Sequence, residues 1–104
     1  MANGDDRNLV RFAACVAVYR AKFGAWPTHA RFEPLFLWDI AQQLGAEAFE
    51  QLGKLMELRT AHQDLSIGIS VGGAHGVVRY DDVNYDRLPA SAIKETRRWL
   101  PLER

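Results

Sequence analysis

The chain has 104 residues, 48% of them apolar and 25% charged, and its 13 Lys plus Arg are balanced by 13 Asp plus Glu. This length suits one domain, expected over 1–104 with residues 1–6 flexible, and the composition is too apolar for a disordered chain. Zero formal net charge excludes a global positive field that would gather nucleic acid or anionic membrane, leaving that work to local patches.

The first six residues are polar and acidic, unlike the basic start and apolar stretch of an export signal, so a cytoplasmic location is expected. Leu9, Phe12, Ala13, Val16, Tyr19 and Phe23 recur at helical spacing. With Asp5 or Asp6 placed to cap the first turn, they predict a helix over 7–23. Arg11, Arg20 and Lys22 interrupt its apolar run, so it does not read as a membrane span and no membrane contact is expected. Cys15, the single cysteine, lacks a disulfide partner and reads as a buried thiol. Gly24 ends the helix, and Trp26-Pro27 forces extended backbone into a short strand near 28–32.

Pro34 suits the first turn of a second helix, which runs to Gly45 with Leu37, Ile40, Ala41 and Leu44 on its inner stripe. At 100° per residue, Phe36 and Trp38 flank that stripe and Leu35 points away from it, so the helix is apolar nearly all round. A third helix is predicted over 46–59, with Ala48, Phe49, Leu52, Leu55 and Met56 facing inward and a net acidic outer face. Leu65, Ile67, Ile69 and Val71 then alternate with Ser66, Gly68, Ser70 and Gly72, the period of a strand with one buried face. Gly72-Gly73-Ala74-His75-Gly76 turns the chain into a returning strand, giving a β-hairpin near 65–80. A polar loop over 81–86 leads to a last helix near Pro89–Leu100. The expected class is α+β, with about four helices and a small antiparallel sheet of two or three strands.

The order helix, short strand, helix, helix, hairpin resembles a winged helix-turn-helix, and Ile40-Ala41-Gln42-Gln43-Leu44-Gly45 is similar to the first helix and turn of that DNA-binding motif. The sequence departs from the family pattern at Gln51 and Lys54, where apolar residues are usual. What the resemblance implies, a recognition helix reading the major groove, meets Glu47, Glu50 and Glu57 on the helix that would enter it, and carboxylates oppose approach to phosphates. The nucleic-acid alternative rests instead on the hairpin and the C-terminal arginines, His75, Arg79, Arg97 and Arg98, with His29 and Arg31 as further candidates.

Other patterns carry less. Asp82-x-Asn84-x-Asp86 opens like a calcium loop but continues with Arg87 and reaches Ile93 where the bidentate glutamate belongs, so it reads as a turn. Ser91 and Lys94 have the spacing of an activated serine without the partner motifs of that chemistry. His29, His62 and His75 have no metal-ligand spacing, so neither metal nor cofactor is expected. The glycine-rich turn runs into a strand, which offers no helix N-terminus to a phosphate. An enzyme or ligand-binding alternative would place a site near the hairpin and the 80–86 loop, among His75, Arg79, Tyr80, Asp82 and Tyr85.

The leading expectation follows from the apolar surplus. Leu35, Phe36 and Trp38 give the second helix more hydrophobic surface than one core absorbs, and Trp26 and Trp99 add more. The sequence therefore predicts a small non-enzymatic binding module that contacts a protein partner or a second copy of itself. Leu35, Trp38 and Asp39 are the interface candidates, and acidic residues of the third helix with Asp81, Asp82 and Asp86 would set orientation.

Overall fold

The computed structural model describes residues 7–60, 68–80, 83 and 87–100. Eight elements follow in order: α1 (Arg7–Phe23), β1 (His29–Phe32), α2 (Pro34–Leu44), α3 (Ala46–Leu55), β2 (Glu57–Thr60), β3 (Ile69–Gly73), β4 (Gly76–Arg79) and α4 (Ala90–Trp99). The expected caps Asp5 and Asp6, the strand start at Leu65 and Ile67, and the Asp82, Asn84 and Asp86 trio lie outside the described residues.

The fold is α+β, as expected, but its sheet is mixed. The strand order is β2-β1-β3-β4, with β1 and β2 parallel and the other two pairs antiparallel. The strand β2 replaces the predicted end of the third helix. Met56 turns to extended backbone at φ −153° and ψ 157°, and the Glu57 N–H donates to the Thr28 carbonyl at 2.9 Å, which starts the parallel ladder. A parallel pair needs a crossover rather than a tight turn, and α2 with α3 supplies it. The two helices meet at a single residue, Gly45, at φ 86°, a left-handed conformation that glycine enters without steric cost. Its N–H caps Ala41 while its carbonyl accepts from Phe49.

One core fills the space between the helices and one face of the sheet. Phe12, Val16 and Tyr19 of α1, Ile40 and Leu44 of α2, Leu52 of α3 with Met56 just after it, and Leu100 after α4 pack with Ala30, Phe32, Ile69, Val71 and Val78 from the strands. The Phe12 and Phe32 rings lie 5.2 Å apart at 57°, the tilted geometry aromatic pairs prefer. Cys15 is buried here too. Among the described residues, α1 and α2 pack on the sheet and α4 packs on α1, while Arg31, Arg59, Val77 and Arg79 are exposed on the strands.

The glycine-rich turn is explained by this packing. A side chain at Gly73 would run into the Tyr19 hydroxyl, and one at Gly76 would come within 2.9 Å of the Phe23 ring. The hairpin tip is drawn onto the end of α1, where the His75 N–H donates to the Tyr19 hydroxyl at 3.4 Å and the His75 ring stacks on Phe23 at 6.1 Å. Trp26 and Trp99 stack on each other at 4.4 Å and 3°, with the Arg20 guanidinium 4.7 Å above Trp26 and 3.7 Å from Glu95. The ladder of Arg20, Trp26 and Trp99 joins α1 to α4, so two of the three tryptophans find their partners within the chain.

Candidate functional site

The interface candidates of α2 divide. Leu35 is 72% exposed and Trp38 63% exposed, whereas Phe36 and Leu37 lean against the core. Leu35 and Trp38 are three positions apart, so they occupy one stretch of helix surface. Asp39 has a structural duty: its Oδ2 accepts from Asn8 Nδ2 at 2.8 Å and from Gln43 Nε2 at 3.2 Å. The first bond ties α1 to α2 and fixes the helix that carries Leu35 and Trp38.

The nucleic-acid candidates do not form one patch. Alternation along β1 and β4 sends Ala30, Phe32 and Val78 into the core and His29, Arg31 and Arg79 to the other side of the sheet, while on β3 Val71 and Ser70 are both buried. His75 sits at the hairpin tip against Phe23, on the helical side. Arg97 and Arg98 belong to α4, also in the helical layer. Arg98 lines a cavity of about 320 Å³ with Gln51, Lys54, Leu55 and Trp99, at some remove from Arg79.

In place of that cluster, the sheet register assembles another. Arg59 of β2 lies opposite Arg31 of β1, Arg31 opposite Ser70 of β3, and Ser70 opposite Arg79 of β4. One row across all four strands thus reads Arg59, Arg31, Ser70, Arg79, and the three arginines are exposed. The next row on the same face reads Glu57, His29, Gly72, Val77. Gly72 is small for a reason: a Cβ there would come within 2.8 Å of His29 Nε2 and 3.2 Å of Val77, so these two side chains close over it.

Electrostatics on this face are set by the arginines. Burial, then the Arg59 charge and, more weakly, Arg31, hold the His29 imidazole below its usual 6.5, although Glu57 pulls the other way. The Glu57 carboxylate is held below its usual range by the hydrogen bond that Arg59 donates at 2.9 Å, and the same bond raises Arg59. Stability follows by linkage. A histidine whose native value is lowered binds fewer protons in the folded chain than in the unfolded one, so stability is intact above pH 6.5 and falls as the pH drops toward the native value. Urea unfolding at pH 7.5 and pH 5.5 should show a loss that His29→Gln reduces, and an unchanged loss in that variant would remove His29 as its source.

Three residues of the enzyme alternative are described. Tyr80 lies under the Arg11 guanidinium at 5.6 Å, His75 is at the hairpin tip and Arg79 is exposed on β4, while Asp82 and Tyr85 lie outside the described residues. No helix among the described residues is long and apolar enough to cross a membrane. Comparison with known proteins finds no family model, curated protein or solved structure that matches this chain.

Proposed function

We propose that this chain is a non-enzymatic binding module of the cytoplasm that acts by self-association, pairing through the outer surface of α2. The observation that carries the reading is the exposure of Leu35 and Trp38 side by side, at 72% and 63%, on a helix whose opposite side is already in the core. Large apolar side chains held in water are costly, and a second copy presenting the same surface removes that cost by isologous pairing about a two-fold axis. Trp38 has the character of a central anchor, since tryptophan buries a large area with only two side-chain torsions to freeze. Asp39 beside it already has hydrogen-bond donors in Asn8 and Gln43, which lowers the penalty for bringing its carboxylate near an interface.

The paired surface is small. Two copies of Leu35 and Trp38 supply less than the roughly 1,200 Å² of a standard interface, so the dimer is expected to be weak and reversible, with a dissociation constant on the order of tens of micromolar. The test is the double variant Leu35→Asp/Trp38→Asp, examined for folding and for association in the same preparations. The reading expects circular dichroism and unfolding to stay near those of the parent while the dimer disappears from size-exclusion light scattering. A variant that unfolds instead would assign both residues to the core.

A further inference from the structure

The sheet face that carries Arg31, Arg59 and Arg79, all exposed, lies away from α2, and the proposal for it stands independently of self-association. Strands in a sheet are about 4.8 Å apart, so the row Arg59, Arg31, Ser70, Arg79 stretches about 15 Å at right angles to the strands, and its three cations point to one side. We propose that this face binds single-stranded nucleic acid, with the phosphodiester backbone running along the row from Arg59 through Arg31 to Arg79.

Several features favour that occupant. Guanidinium groups meet phosphate oxygens in planar, two-pronged hydrogen bonds, which a row of arginines repeats along a strand. Ser70 stands between Arg31 and Arg79 in the register and is buried at 3% exposure, so the groups that this row presents are the arginines. The neighbouring row supplies a face for bases and sugars: the His29 ring, and Val77, which is 58% exposed, close over Gly72. Single-strand binders combine a basic track with such flat or apolar surfaces. Glu57, the carboxylate in these two rows, is already engaged by Arg59 at 2.9 Å, and among the described residues Arg31 has no carboxylate partner.

Around His29, the charged groups among the described residues are Arg31 on its own strand and Glu57 and Arg59 on β2; β3 presents Gly72, and β4 presents Val77 with Arg79 one row away. A phosphate seated on the row would favour the imidazolium, so nucleic-acid binding is expected to strengthen as the pH falls from 7.5 to 5.5.

The experiment is fluorescence anisotropy of a short labelled oligo(dT) and of oligo(U) against the intact chain over a salt series. With one of the three charges already balanced by Glu57 at Arg59, about two net phosphate contacts at about −0.7 each predict a slope of about −1.4 for log K against log salt. Arg31→Ala is exposed and harmless to folding, and it should lower affinity on the order of tenfold and reduce the slope by about 0.7. Arg31→Ala/Arg79→Ala should abolish binding, whereas Arg98→Ala, in the other layer, should leave it intact. Absence of binding at about 50 mM salt with protein near 1 mM would overturn the proposal. So would binding that survives the double variant, and so would equal, arginine-dependent binding of polyglutamate or of phosphatidylserine vesicles, which would assign the face to an acidic protein or a membrane surface instead.

Discussion

Phe32→Ala is expected to destabilise the chain by about 3–5 kcal/mol, enough to remove a large part of the stability of a domain this size. Phe32 is fully buried on the inner side of β1, the strand that pairs with both β2 and β3, and its ring lies 5.2 Å from Phe12 of α1. Truncation therefore loses transfer energy and an aromatic pair, and it opens a cavity between two layers. That cavity resists collapse, because β1 is fixed by neighbours on both sides and α1 is held by α2, α4 and the hairpin. Urea denaturation should report the full loss at an unchanged m-value. A cost below about 1 kcal/mol would mean that the layers close over the gap and that the core is less rigid than the packing implies.

The second large effect is expected at Gly73. A methyl group there meets the Tyr19 hydroxyl and approaches the Thr28 amide nitrogen to 3.4 Å. Tyr19 is completely enclosed and lies 4.6 Å from the Phe23 ring, so its hydroxyl has nowhere to retreat. Gly73→Ala should cost about 1–3 kcal/mol in overpacking, with about 1 kcal/mol more if the His75 N–H loses its acceptor. A double-mutant cycle identifies the cause. In a Tyr19→Phe background the hydroxyl is gone, and the same substitution should cost markedly less. Equal costs in both backgrounds would move the source of strain from Tyr19 to the backbone at Thr28.

Much of this architecture is legible from local patterns. The helical period of Phe12, Val16, Tyr19 and Phe23 places α1 at Arg7–Phe23, and Pro34 and Gly45 bracket α2. Alternation at Ile69 and Val71 marks β3, but the single buried face it predicts is not found, because Ser70 is buried as well. The strand β2 is different. Glu57-Leu58-Arg59-Thr60 follows directly on a helical stripe and contains one apolar residue. Its partner lies some 28 positions back on β1, across two helices, and a pairing of that kind leaves no periodic trace in four residues.

The candidate surfaces divide along the same line. Wheel geometry alone singles out Leu35 as pointing away from the inner stripe, and both it and Trp38 stand in solvent. Trp26 and Trp99 look equally surplus in sequence, yet they stack on one another, a contact between segments more than seventy residues apart. Arg79 invites grouping with Arg97 and Arg98, its nearest basic run toward the C-terminus. The fold instead sends α4 to the helical layer and aligns Arg79 with Arg31 and Arg59, a set defined by register across four strands. The usable hint is that Arg31 alternates with Ala30 and Phe32, which marks it as outward-facing once β1 is known to be central.

Sedimentation velocity of the parent chain and of Leu35→Asp/Trp38→Asp, from about 10 µM to 1 mM, addresses self-association through α2 most directly. The parent should move from monomer to dimer across that range, while the variant stays monomeric with unfolding within about 0.5 kcal/mol of the parent. A parent that remains monomeric throughout, or a variant that dimerises as well as the parent, would contradict α2 as the pairing surface.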